Sequence, residues 1–192
     1  MDFLNKFDFT LLLGPANSGK TSYFLNLPDS NKLIIANVPI EKLAADKETL
    51  SKLQKCKFVN IATKIIDPEI WGKPFIVLID EIHFLANFDY YIIKTILNFN
   101  KRHIKHLYVA LLTGSSLGKP FKPQVDIIAL ANTIIVVPGK CALCGFETTR
   151  SRCFNGFRGE KQVNKFAYKA CCFYHLDTHV ENVESSAVPD AF

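Results

Sequence analysis

From about residue 9 to residue 137, short apolar runs alternate with stretches whose apolar residues recur every three or four positions. The runs at residues 9–13, 32–38, 57–61, 75–79, 106–112 and 133–137 are predicted strands. Several are apolar throughout, the pattern of strands buried on both faces. Strands of that kind alternating with helical segments predict an α/β fold built on a parallel sheet. Pro39 suits the first position of a helix running to about Lys55. Leu85, Phe88, Tyr91, Ile92, Ile96 and Phe99 recur at helical spacing and predict another helix, with its aromatics in the core.

The pattern changes after Pro138-Gly139. Residues 138–175 hold five of the six cysteines, seven Lys or Arg and only two acids. They read as a small, separately organised unit. Residues 176–192 carry four acids and no Lys or Arg, the composition of a loose tail. The expected organisation is a nucleotide-binding domain over 1–137, a metal-binding unit over 138–175 and a tail over 176–192.

Composition narrows the class. The chain has 192 residues, 48% of them hydrophobic and 21% charged, which excludes a collagen, a coiled coil or a disordered chain. No apolar run approaches the ~18 residues of a membrane span. No secretory signal is visible, so the expected compartment is cytoplasmic and the cysteines are expected as thiols or metal ligands. The net charge of +5 suits phosphate-bearing ligands.

Three constellations carry chemistry. Gly14, Pro15, Ala16, Asn17, Ser18, Gly19, Lys20 and Thr21 fit G-x-x-x-x-G-K-[ST] between a predicted strand and a predicted helix. There a glycine-rich turn wraps phosphates with backbone N–H groups, Lys20 reaches the β- and γ-phosphates, and Thr21 sits on Mg²⁺. The apolar run at 75–79 ends in Asp80-Glu81. Asp80 is placed to help hold Mg²⁺, and Glu81 to face the reacting phosphate as general base. Cys141-x-x-Cys144 and Cys172-x-x-His175 supply four ligands for a closed, structural Zn²⁺ site. Cys171 is an adjacent alternative to Cys172, which has the matched spacing; Cys56 and Cys153 read as plain thiols.

The order of these motifs resembles the type II thymidine kinases, the cellular and large-DNA-virus family with a zinc-bearing lasso domain. Gly14–Thr21 is similar to its G-P-x-x-[SA]-G-K-[ST], and residues 80–84 to its D-E-[AG]-Q-F, with His83 in place of Gln. Residues 112–121 are similar to its L-[DN]-[GA]-[TS]-F-x-x-K-x-F, with Ser116 in place of the aromatic. Tyr168 to His175 is similar to its Y-x-x-x-C-x-x-[CH]. The family's Asp-x-Arg between the two phosphate motifs has no counterpart, because no Arg precedes Arg102.

The resemblance implies a phosphate-loop, RecA-like sheet with a small zinc-ribbon or lasso domain. It implies transfer of the ATP γ-phosphoryl group to the 5′-hydroxyl of thymidine or a related deoxynucleoside. Glu81 is then the catalytic base, and Phe84, Leu112, Phe121, Val163 and Tyr168 bind the nucleoside. ATP, Mg²⁺ and structural Zn²⁺ are the implied cofactors. A homotetramer or homodimer is implied, with no membrane or nucleic-acid partner. Two rival readings are a catalytically weak nucleotide-binding member of the family, and a phosphate-loop ATPase whose basic zinc module binds nucleic acid.

Overall fold

The computed structural model describes residues 8–60, 75–81, 104–154 and 168–176. Six strands form one parallel sheet: β1 (Asp8–Gly14), β2 (Lys32–Ala36), β3 (Lys57–Asn60), β4 (Phe75–Asp80), β5 (Ile104–Leu112) and β6 (Thr133–Val136), in the order β3-β2-β4-β5-β1-β6. Each of the six lies within three residues of its predicted bounds.

The apolar runs divide by alternate residues into two layers. Phe9, Leu11 and Leu13 of β1 join Leu33, Ile35, Val77, Ile79, Leu107 and Val109 on one face. Leu12 joins Ile34, Leu78, Tyr108 and Ala110 on the other. This is the period of two that strand geometry imposes, applied to strands covered on both sides. Three helices supply apolar residues to the second face: α1 (Lys20–Leu25) gives Phe24 and Leu25, α2 (Ile40–Leu43) gives Leu43, and α3 (Lys47–Gln54) gives Leu53. Phe24 meets Tyr108 edge-on, with ring centroids 5.6 Å apart. On the first face Ile127 of α4 (Lys122–Ile128) is fully buried.

One expectation is corrected. The helix predicted over 39–55 is two helices, because Ala44 is extended (ψ 134) and Asp46 caps a new start. The Asp46 carboxylate accepts from the Thr49 N–H at 2.7 Å. A short acidic side chain offers the backbone that local bond, and the cap then begins α3 afresh. β6, in which Thr133 is followed by three apolar residues, is an edge strand of the sheet. Its Ile134 and Val136 are 47% and 51% exposed. The helix expected from Leu85 to Phe99 lies outside the described residues.

Beyond β6 the architecture changes from one large sheet to small ribbons. β7 (Gly139–Lys140) pairs antiparallel with β8 (Glu147–Thr148), and β9 (Ser151–Cys153) with β10 (Tyr168–Ala170), before the short helix α5 (Phe173–Leu176). The chain thus forms an α/β parallel sheet with a cysteine-bearing unit after it. No helix among the described residues is long and apolar enough to cross a membrane.

Candidate active site and metal centre

The carboxyl ends of β1, β4 and β5 gather the predicted chemistry. Parallel strands deliver their following loops to one edge of a sheet, which is where open α/β sheets bind ligands. The loop Gly14–Thr21 leaves β1 and enters α1. Gly14 has no room for a Cβ, which would collide with the Val137 carbonyl oxygen. Asn17 (φ 59) and Gly19 (φ 88) take the left-handed turns that curl the loop. Lys20 is buried and folds its ammonium into that curl. Its Nζ donates to the carbonyl oxygens of Pro15 at 2.7 Å and Gly14 at 3.2 Å, and to Ser18 Oγ at 3.4 Å.

β5 lies between β1 and β4, so the loop and the acids sit two strands apart, about 10 Å at ordinary strand spacing. α1 closes that gap. The Thr21 hydroxyl donates to Asp80 Oδ2 at 2.6 Å, while Asp80 Oδ1 accepts from the Glu81 N–H at 2.9 Å. Asp80 is 2% exposed. Two ligands at right angles on an octahedral Mg²⁺, each at about 2.1 Å, lie about 3 Å apart. The Thr21 and Asp80 oxygens, 2.6 Å apart and bonded to each other, would have to part by a few tenths of an ångström to share such an ion. Glu81 follows at φ 56, a left-handed conformation uncommon for a residue with a long side chain.

The end of β5 supplies the third wall. Leu112 pairs with Gly14, and the chain then turns through residues 113–121. Gln124 of α4, 4% exposed, holds that turn: its Oε1 accepts from the Phe121 N–H at 3.2 Å, and its Nε2 donates to the Thr113 carbonyl at 3.1 Å. Leu112, Phe121 and Tyr168 pack into one buried cluster with Ala16 and Cys153. Three expected nucleoside residues thus meet beside the phosphate loop. The other two, Phe84 and Val163, lie outside the described residues.

Sequence reasoning did not single out Ser151 or Gln124, and it read Cys153 only as a plain thiol. Cys153 reaches the cluster because it faces Tyr168 across the β9–β10 ladder. Ser151, two residues earlier on the same side of β9, accepts the Ala16 N–H at 2.9 Å. Strands of three residues carry too little alternation to be read from sequence. No pattern could have shown which strand would lie against the loop.

The cysteine unit converges as the spacing predicts. Cys141, Cys144, Cys172 and His175 bring their donor atoms within 4.8 Å of one another. Cys144 Sγ lies 3.7 Å from Cys172 Sγ, and His175 Nδ1 lies 3.7 Å from Cys141 Sγ and 3.1 Å from Cys172 Sγ. A tetrahedral Zn²⁺ with Zn–S near 2.3 Å sets sulfur–sulfur edges of about 3.8 Å, so the donor set is compatible with zinc.

Thiol acidity differs across the unit: at Cys144 the Phe146 N–H lowers the pKa, but burial and the neighbouring Cys141 and Cys172 sulfurs outweigh it and raise it. Burial pushes the Cys141 thiol up, but backbone N–H groups of Cys172, Leu143 and Cys144 outweigh it and bring its pKa down to about 5. Cys171 is fully buried and is pushed up to about 11, chiefly by that burial. It stays a thiol and is not among the four converging donors.

A family profile described as thymidine kinase matches residues 8–176. A thymidine kinase of Mycoplasmoides gallisepticum is 34% identical over 94 residues, a stretch covering 49% of this chain and 40% of that relative's length. The profile spans both the loop-bearing sheet and the cysteine unit, and these are the two parts whose chemistry the motif order had joined. This chain belongs to the thymidine kinase family.

Proposed function

We propose that the protein is a thymidine or deoxynucleoside kinase that transfers the γ-phosphoryl group of ATP to a nucleoside 5′-hydroxyl. The observation that carries this reading is the link between Thr21 and Asp80, which ties the phosphate loop to the strand end bearing Glu81. On this reading the phosphate loop, the Thr21–Asp80 pair and the Glu81 carboxylate would work together at one edge of the sheet.

In the proposed mechanism the N–H groups of residues 17–21 and the Lys20 ammonium hold the phosphates of ATP. Thr21 and Asp80 would hold Mg²⁺, which neutralises charge on the phosphate oxygens. Glu81 accepts the proton of the 5′-hydroxyl as that oxygen bonds to the γ-phosphorus and the bridging bond to the β-phosphate breaks, releasing ADP. Catalysis is then mostly positioning and electrostatic stabilisation. Leu112, Phe121 and Tyr168, with Phe84 and Val163, would enclose the nucleoside. Ala16 and Ser116 are small where the family carries bulkier side chains, which favours a roomy base pocket. Zn²⁺ held by Cys141, Cys144, Cys172 and His175 would fix the unit that carries Tyr168.

Assembly into two or four copies also fits this reading. The uncharged edge strand β6 exposes Ile134 and Val136, and the nearby Val125 and Ile128 are 58% and 38% exposed. Exposed apolar edges of this kind are normally covered. Sedimentation velocity tests the assembly, and a single monomer peak at micromolar concentration would contradict it.

The experiment for the activity incubates pure protein with labelled Mg·ATP and each nucleoside in turn, and identifies the products. Labelled thymidine monophosphate is the expected result. Label on another nucleoside would keep the mechanism and change the substrate. No monophosphate from any nucleoside would refute the proposal.

A further inference from the structure

Among the described residues, the cysteine unit meets the phosphate loop through a buried polar contact. Ser151, 5% exposed, accepts the N–H of Ala16, 8% exposed, at 2.9 Å. Ala16 is the third residue of the phosphate loop. Its N–H is therefore spent on the loop's shape.

A continuous chain of backbone bonds runs from that contact to the cysteine cluster. Ser151 pairs with Ala170 across the β9–β10 ladder. The Ala170 carbonyl accepts from the Ala142 N–H at 2.9 Å, one residue after Cys141. The Cys171 N–H donates to the Arg150 carbonyl at 3.0 Å, and the Cys171 carbonyl accepts from Thr148 Oγ1 at 3.1 Å, one residue before Cys172. Arg152 Nη1 donates to the His175 carbonyl at 2.6 Å. Three of the four converging residues are thus tied, directly or through a neighbour, to β9 and its partner.

Packing tightens the same junction. A Cβ on Gly139 would lie 2.8 Å from Pro15 Cγ and 3.0 Å from Ala170 Cβ. The loop, β7 and β10 therefore meet without room for one more carbon.

We infer that Ser151 is a positioning residue that sets the phosphate loop for ATP, and that through β9 and β10 it couples ATP binding to metal retention in the cysteine unit. The inference rests on the proposed ATP-binding role of the loop. Coupling of this kind is reciprocal: if the held knuckle favours the ATP-competent loop, bound ATP favours the held knuckle. Removing the hydroxyl leaves a buried N–H without its partner, so the loop must shift or bear the loss.

The test uses the metal-loaded protein and two variants, Ser151→Ala and Ser151→Thr. Binding of Mg·ATP is measured directly by calorimetry, without nucleoside. The expected result is about three- to tenfold weaker binding for Ser151→Ala, the range of one lost hydrogen bond, and near-normal binding for Ser151→Thr. Steady-state kinetics should show the loss in KM for ATP far more than in kcat. Transfer of Zn²⁺ to a chromogenic chelator is then timed with and without Mg·ATP. ATP should slow the release severalfold in the unaltered protein and leave it unchanged in Ser151→Ala.

Equal ATP binding by Ser151→Ala and the unaltered protein would overturn the inference. So would equal loss in both variants, or zinc release indifferent to ATP in the unaltered protein. Failure of the unaltered protein to bind ATP at all would remove the phosphate-loop reading along with it.

Discussion

Glu81 holds a backbone conformation that costs a non-glycine residue on the order of 1–3 kcal/mol and persists only where its surroundings impose it. Asp80 helps to hold it, accepting the Glu81 N–H with one oxygen and the Thr21 hydroxyl with the other. Cys171 and Cys172 give the same lesson in a pair. Sequence spacing left both open as ligands. The structure separates them by environment, since Cys171 is buried as a thiol and Cys172 lies 3.1 Å from His175 Nδ1. Cys172→Ser is therefore expected to lose about one zinc per chain by metal analysis, while Cys171→Ser and Cys56→Ser keep it. Full zinc retention in Cys172→Ser would show that the cluster is not the metal site.

At the scale of elements, the central strands were legible because burial on both faces leaves an unbroken apolar run. β2, β4 and β5 are of that kind. The break between α2 and α3 was not, because helical spacing of apolar residues continues across it while the Asp46 cap decides the matter locally. Pairings among the short strands β7 to β10 depend on contacts distant in sequence, so the role of Ser151 was invisible.

One strand also carries a pH dependence. His106 of β5 shares a 2.8 Å hydrogen bond with Thr10 Oγ1 and stacks on Tyr108 at 4.2 Å. Burial lowers its pKa from the ordinary 6.5, with Asp8 opposing in part. The unfolded chain therefore takes up this proton first. The stability His106 contributes is present above pH 6.5 and is lost as the pH falls below it. Melting temperatures between pH 7 and 5 should fall less for His106→Gln than for the unaltered protein; parallel curves would contradict this.

For the whole molecule, the sequence motifs told which chemistry was present but not how it was joined. The loop after β1, the acids after β4 and the cysteine unit after β6 are separated by dozens of residues, and only the strand order brings them to one edge. Membership of the thymidine kinase family extends over both the sheet and the cysteine unit. The absence of any Arg before Arg102 leaves Lys20 as the cation built into the phosphate loop itself.

If this edge transfers a phosphoryl group with Glu81 as base, loss of that carboxylate must slow the reaction. The most direct measurement is the initial rate of thymidine monophosphate formation by the unaltered protein and Glu81→Gln side by side, with Mg·ATP affinity measured on both. The rate should be lower by about 10²–10⁴-fold in Glu81→Gln, the usual contribution of a positioned base, with ATP affinity changed by less than about threefold. A variant that keeps a tenth or more of the rate would contradict it.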